Sequence, residues 1–203
     1  MLVPVITDMD QRWTEISGAL ESGEPDQVNR AIDEIKGMDI KKRIELFWVC
    51  FTELTNSYIA AGDGYVRQSV VRVTDQLVPG MVAIAALENE DKTLGASESD
   101  IREQTDEICG FLLEAVTDDD GRVRQSAKRA LKDVFRTYDS LGDEETLEAL
   151  AQELGRMAER HTGKQRKHLL EAKEDVEFTL QSPLGRLVDQ LSAEFAESRQ
   201  AGE

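Results

Sequence analysis

Basic side chains at helical spacing are the residues of this sequence best suited to recognising another molecule. Arg122, Lys128, Arg129, Lys132 and Arg136 fall in one late stretch, and Lys164, Arg166, Lys167 and Lys173 in the next. Arg129, Lys132 and Arg136 lie on one helix face. A row of cations attracts phosphate or acidic peptide, because field adds locally even where net charge opposes it. The same bases could instead pair with carboxylates of adjacent helices and keep the chain from repelling itself. Both readings stand. Arg122, Lys128, Arg129, Lys132, Arg136, Lys164 and Lys167 are the candidate binding residues.

Residue sets for bond-making chemistry are missing from the sequence. There is no Ser-His-Asp order, no glycine-rich phosphate loop and no Cys-x-x-Cys. His161 and His168 are roughly two helical turns apart, about 10 Å along a helix, which is too far for one metal ion. Both read as solvated surface residues. Cys50 and Cys109 each sit in an apolar helical pattern and read as buried structural thiols. The run Asp118-Asp119-Asp120 lacks the downstream ligand spacing of a calcium loop and reads as helix termination and turn. We therefore expect no catalytic residues, no metal and no cofactor.

The elements that must position these residues are helices. Asp120-Gly121-Arg122-Val123-Arg124-Gln125-Ser126 has a near copy in Asp63-Gly64-Tyr65-Val66-Arg67-Gln68-Ser69. Each reads as a turn running into an amphipathic helix. Val66, Val70, Val73 and Leu77 mark the inner face of the first, and Val123, Ala127, Ala130, Leu131 and Val134 that of the second. A third start at Gly163 leads to Leu169, Leu170, Ala172 and Val176.

Earlier, Thr7 and Asp10 have capping-box spacing ahead of Trp13, Ile16 and Leu20. Val28, Ala31, Ile32 and Ile35 mark a second helix. Asp39 caps a third, whose residues Ile40, Ile44, Phe47, Trp48, Phe51, Leu54, Tyr58 and Ile59 form a wide stripe. That stripe reads as core, with an exposed aromatic binding patch as the other reading. Further helices are expected over 81–87, 99–116 and 143–160, with Leu147, Leu150, Leu154, Met157 and Ala158 inward in the last. A final helix over 183–198 begins after Ser182-Pro183, and 89–97 is the most loop-like segment. No sustained alternation of apolar and polar residues signals a strand.

The turn, the Val-Arg pair and the small residues at helical spacing resemble the HEAT repeat, a helix-turn-helix unit that stacks into a solenoid. The resemblance covers residues 24 to 180 and is clearest over 40–80, 99–138 and 143–180. It implies an all-α fold: a single domain over 1–203, a right-handed stack of antiparallel helix pairs in the HEAT/armadillo manner, with eight or nine helices. One unit cannot bury its own stripe, so neighbours must stack. In that family an Asp and an Arg link the turn to a neighbouring unit; Asp63 or Asp120 and Arg67 or Arg124 fill those positions here. The trailing helices, which carry the bases, would line a concave face. HEAT-like DNA glycosylases use such a face with aromatics and a catalytic Asp, but the trailing helices here contain no Trp. HEAT-type metal hydroxylases use His-Glu pairs, and neither His here has an adjacent Glu.

The charge balance is strongly acidic, with 41 Asp and Glu against 24 Lys and Arg and a formal charge of -17. Arg outnumbers Lys and aromatics are few. This resembles proteins of salt-loaded cytoplasms, whose carboxylate surface stays hydrated; an ordinary acidic protein is the other reading. Screening at molar salt shortens the Debye length to about 3 Å, from about 10 Å at 0.1 M. The melting temperature should therefore be lower in dilute buffer than in molar KCl, and equal values would remove the halophile reading. The start of the chain lacks the pattern of a signal peptide, so a cytoplasmic location is expected. The sequence supports a non-enzymatic protein-interaction scaffold binding on the concave face. Nucleic-acid association through the basic strip is the alternative, and no membrane partner is expected.

Overall fold

The computed structural model describes residues 7–89 and 94–181, and every regular element among them is an α-helix. In chain order these are α1 (Asp8–Ser22), α2 (Pro25–Gly37), α3 (Ile40–Ala60), α4 (Gly64–Leu77), α5 (Gly80–Glu88), α6 (Glu98–Ala115), α7 (Gly121–Ser140), α8 (Glu144–Arg160) and α9 (Gly163–Leu180). The helix expected over 183–198 lies outside the described residues.

Local chemistry fixes most of the helix ends. Thr7 and Asp10 form a reciprocal capping box at α1, and Ser97 and Asp100 form another at α6. Each box satisfies amides that the first helical turn leaves without partners. Asp39, Asp63, Asp120 and Asp143 cap α3, α4, α7 and α8 with their carboxylates. Gly23 ends α1 in the left-handed conformation, at φ 64°.

The helices pair as hairpins, α1 with α2, α3 with α4, α6 with α7 and α8 with α9. The second members also pack side by side, α2 on α4, α4 on α7 and α7 on α9. That layer buries the small residues Ser69, Val73, Ala127, Ala130 and Ala172, which allow close approach. One apolar core runs from Met9 in α1 to Val176 in α9. Each fully buried Leu or Val in it contributes roughly 1.5–3 kcal/mol.

α5 is an addition to this scheme. It follows an elbow at Pro79-Gly80, packs on α6 and α7, and builds a smaller cluster of Ile44, Ala83, Ile84, Leu94 and Ile101. The elbow leaves the last carbonyls of α4 without helical donors. Gln104, fully buried, donates to Leu77 O at 2.7 Å, and Arg43 to Gln76 O at 3.3 Å. Taken together, Gly64–Glu88 is long and apolar enough to cross a bilayer, but half of it is buried inside the protein.

Five apolar assignments change. Trp48 and Ile59, read with the α3 core stripe, are exposed, while Leu46 and Cys50 on the same helix are buried. Eight apolar positions span more of the helix circumference than one packing face can cover. Leu170 is exposed, and Val66 and Met157 are only half-buried.

Candidate functional site

The repeated stretch builds a ladder of turns along one edge of the protein. Gly64, Gly121 and Gly163 each begin a helix of the second layer. Arg67 grips Asp118 in the next turn with two bonds, Nε at 2.7 Å and Nη2 at 2.9 Å, and also donates to Ala61 O and Gly62 O. Asp118 further accepts from the Tyr58 hydroxyl at 2.6 Å and the Asp120 amide at 2.7 Å. Gln165, in the third stretch, donates to Thr117 O at 2.6 Å. Three turns therefore converge on Thr117 and Asp118.

The inter-turn carboxylate is thus Asp118, not Asp63 or Asp120, which cap their own helices. Asp120 nonetheless touches the neighbouring turn, because a Cβ on Gly64 would lie 2.0 Å from its Oδ2. Arg124, 5% exposed, donates to Asp118 O and Asp119 O at 2.5 and 2.8 Å and is structural. Burial alone would raise the pKa of Asp118. Arg67, Tyr58 and the Asp120 amide outweigh it and hold the carboxyl below its usual value.

The basic candidates are mostly paired. Lys128 meets Glu171 at 2.5 Å, Lys132 meets Asp175 at 2.9 Å, and Lys167 meets Glu171 at 3.6 Å. Arg136 pairs with Asp133 and Arg122 with Asp120, both at 2.8 Å, while Arg129 reaches Asp75 at 3.9 Å. Lys164 alone of the seven has no ion pair among the described residues. The pairing of α7 bases with α9 acids depends on interhelical register, which spacing along one helix does not reveal.

Arg129 and Arg136 also line a hollow of about 580 Å³, with Arg43, Arg72, Asp75 and Asp133. Asp75 is nearly buried and its Oδ1 has no hydrogen bond. Burial first, then the Asp133 charge, raises its pKa to about 6, with Arg129 opposing. A carboxyl whose folded pKa is raised costs stability when ionised, and the cost fades as pH falls through 6 towards 4. Asp75→Asn should therefore stabilise the protein by about 1–2 kcal/mol at pH 7. Urea denaturation at pH 7 and pH 4.5 checks this: the gain should shrink in acid, and a loss at pH 7 would refute it.

The residues considered for chemistry are kept apart. No group of three or more His, Cys, Asp or Glu among the described residues is placed to hold a metal ion. Cys50 and Cys109 are buried, and burial pushes both thiols up to about 12. The histidines are less solvated than expected. His161 Nδ1 lies 2.8 Å from Met157 O, and His168 is wedged beside Glu171 with its pKa lowered chiefly by burial.

A second concavity lies on the opposite layer, between α3 and α6. These helices lack the close backbone packing seen between α4 and α7 and meet through aromatic rings. The Phe111 ring stands edge-on to Tyr58 at 5.1 Å and to Phe51 at 6.3 Å. The resulting groove, about 690 Å³, has Phe51, Tyr58, Ile59 and Phe111 in its lining, with Glu103 and Glu107 along the α6 side. Ile59 is 76% exposed, and Trp48, 47% exposed, is three residues before Phe51 on the same helix. The signal for this groove was the excess width of the α3 stripe.

Comparison with protein-family models, curated proteins and solved structures finds no match.

Proposed function

We propose that this chain is a non-enzymatic protein-interaction scaffold: a HEAT-like, right-handed stack of helical hairpins that receives a protein partner in the groove between α3 and α6. The observation that carries this reading is the apolar lining of that groove, where exposed Ile59 and half-buried Phe51 and Tyr58 stand over the buried Phe111 ring, with exposed Trp48 further along α3. Buried aromatic anchors supply most of the energy of protein interfaces. The layer of α4, α7 and α9, expected to be the concave binding face, offers chiefly paired charges, which contribute little to binding. Nucleic-acid association loses support for the same reason, because the bases that would meet phosphate already hold carboxylates.

Photo-crosslinking in the native cell extract tests the reading. A crosslinker at position 55, in the groove, should capture a discrete partner that Ile59→Glu abolishes, whereas one at position 148 on α8 should not. Equal capture from both positions, or capture indifferent to Ile59→Glu, would overturn it. A titration with short DNA at increasing salt should show no binding that weakens steeply with salt.

A further inference from the structure

We infer that the occupant of the α3–α6 groove is a basic amphipathic helix of the partner, three to four turns long, with its cations along the α6 edge. This rests on the groove being the partner site. The length follows from the walls. The lining runs from Ser99 to Glu114 on α6 and from Phe51 to Ile59 on α3. At about 1.5 Å per residue these walls are roughly 22 and 12 Å long.

The floor suits a helix. Phe51, Tyr58, Ile59 and Phe111 are apolar over a span that side chains at positions i, i+3, i+4 and i+7 of a helix can match. Gly110 also lines the groove, and no atom lies within 4 Å of where its Cβ would be, so a second backbone can approach there. Every regular element among the described residues is helical, which leaves no sheet edge for an extended peptide to join.

The charge of the walls sets the sign of the partner. Glu103, Asp106, Glu107 and Glu114 all lie on α6, and Asp106 accepts a hydrogen bond from the Tyr138 hydroxyl. Glu103, Glu107 and Glu114 hold no ion pair among the described residues. The one base in the lining, Arg102, is committed to Glu98 and Asp143. On the α3 side the polar groups are neutral hydroxyls, those of Thr52, Thr55 and Tyr58, the last already donating to Asp118. A guest helix therefore carries Lys or Arg on one flank of its apolar face only. With a formal charge of -17, a second copy of this chain, an anionic membrane and nucleic acid are all repelled.

The test uses a fluorescein-labelled 15-residue peptide of Leu and Lys, with leucines on one helical face and lysines beside it, and reads anisotropy at 0.15 M salt. Two controls separate the groove from general attraction to an acidic protein: a scrambled peptide of the same composition, and one with Glu for Lys. The triple variant Glu103→Gln, Glu107→Gln, Glu114→Gln should weaken binding about tenfold, as three exposed charge pairs of ordinary strength are lost. Glu148→Gln, Glu159→Gln, Glu174→Gln, of equal net charge, should stay within about twofold. Added before irradiation, the peptide should also suppress crosslinking of the partner from position 55. Equal effects of the two triples, equal binding of the scrambled peptide, or no binding at all would overturn the basic helix. If crosslinking from position 55 succeeds while the peptide neither binds nor competes, the groove stands and only the chemistry of its guest is wrong.

Discussion

Asp118→Ala should destabilise the protein by about 3 kcal/mol, the low end for removing one partner of a buried ion pair. The Asp118 side chain is 6% exposed and that of Arg67 19%, so truncation leaves a largely desolvated guanidinium without its counter-charge. The Tyr58 hydroxyl and the Asp120 amide lose their acceptor in the same step. The low end applies because Arg67 keeps two carbonyl partners in its own turn. The carboxyl is held below its ordinary pKa, so its contribution is complete above about pH 4 and is lost as pH falls through the folded value. Urea midpoints at pH 7 should thus differ widely between wild type and variant and converge in acid. A midpoint shift at pH 7 under about 1 kcal/mol would refute the role assigned to this contact, since ordinary surface substitutions stay within about 0.5 kcal/mol.

The second expectation sets two equivalent glycines against each other. Gly64→Ala should cost about 2 kcal/mol, whereas Gly121→Ala should be neutral or stabilise by up to about 1 kcal/mol. Both begin a helix at the same place in the repeated stretch, and neither has positive φ. The difference lies in the neighbour. A methyl at position 64 meets Asp120 Oδ2 at 2.0 Å and Cγ at 2.7 Å, and that carboxylate is pinned by the Arg122 amide and guanidinium. Moving it forfeits the α7 cap, a loss of about 1 kcal/mol, and disturbs the packing between turns. A methyl at 121 finds only Arg124 Nη2, at 3.4 Å. Melting temperatures of the two variants decide it; equal shifts would mean that the two turns do not abut.

Helices were legible wherever one periodic face and a polar stop coincided. Val123, Ala127, Ala130, Leu131 and Val134 are all buried, and so are Ile101, Thr105, Ile108, Leu112 and Ala115 of α6 and Val116 just after it. Thr7 and Asp10 cap as their spacing indicates, since that hydrogen bonding is local. What spacing did not reveal was set between helices. Asp118 reads as a turn residue until the preceding hairpin brings Arg67 against it. Trp48 and Phe47 are adjacent in sequence, yet one faces solvent and the other the core, because the packing of α3, not hydrophobicity alone, selects the buried face. The paired state of Lys128 and Lys132 likewise depends on where α9 lies alongside α7.

The two sulfhydryls give the molecule an internal gauge. Cys50 is fully enclosed and Cys109 is 4% exposed, and enclosure disfavours the reactive anion in both. An alkylating reagent gains ready access only when α3 or α6 lifts from its neighbours, so modification rates count those openings. These are also the two walls of the groove. A guest that clamps them together should slow the capture of both sulfurs without touching either.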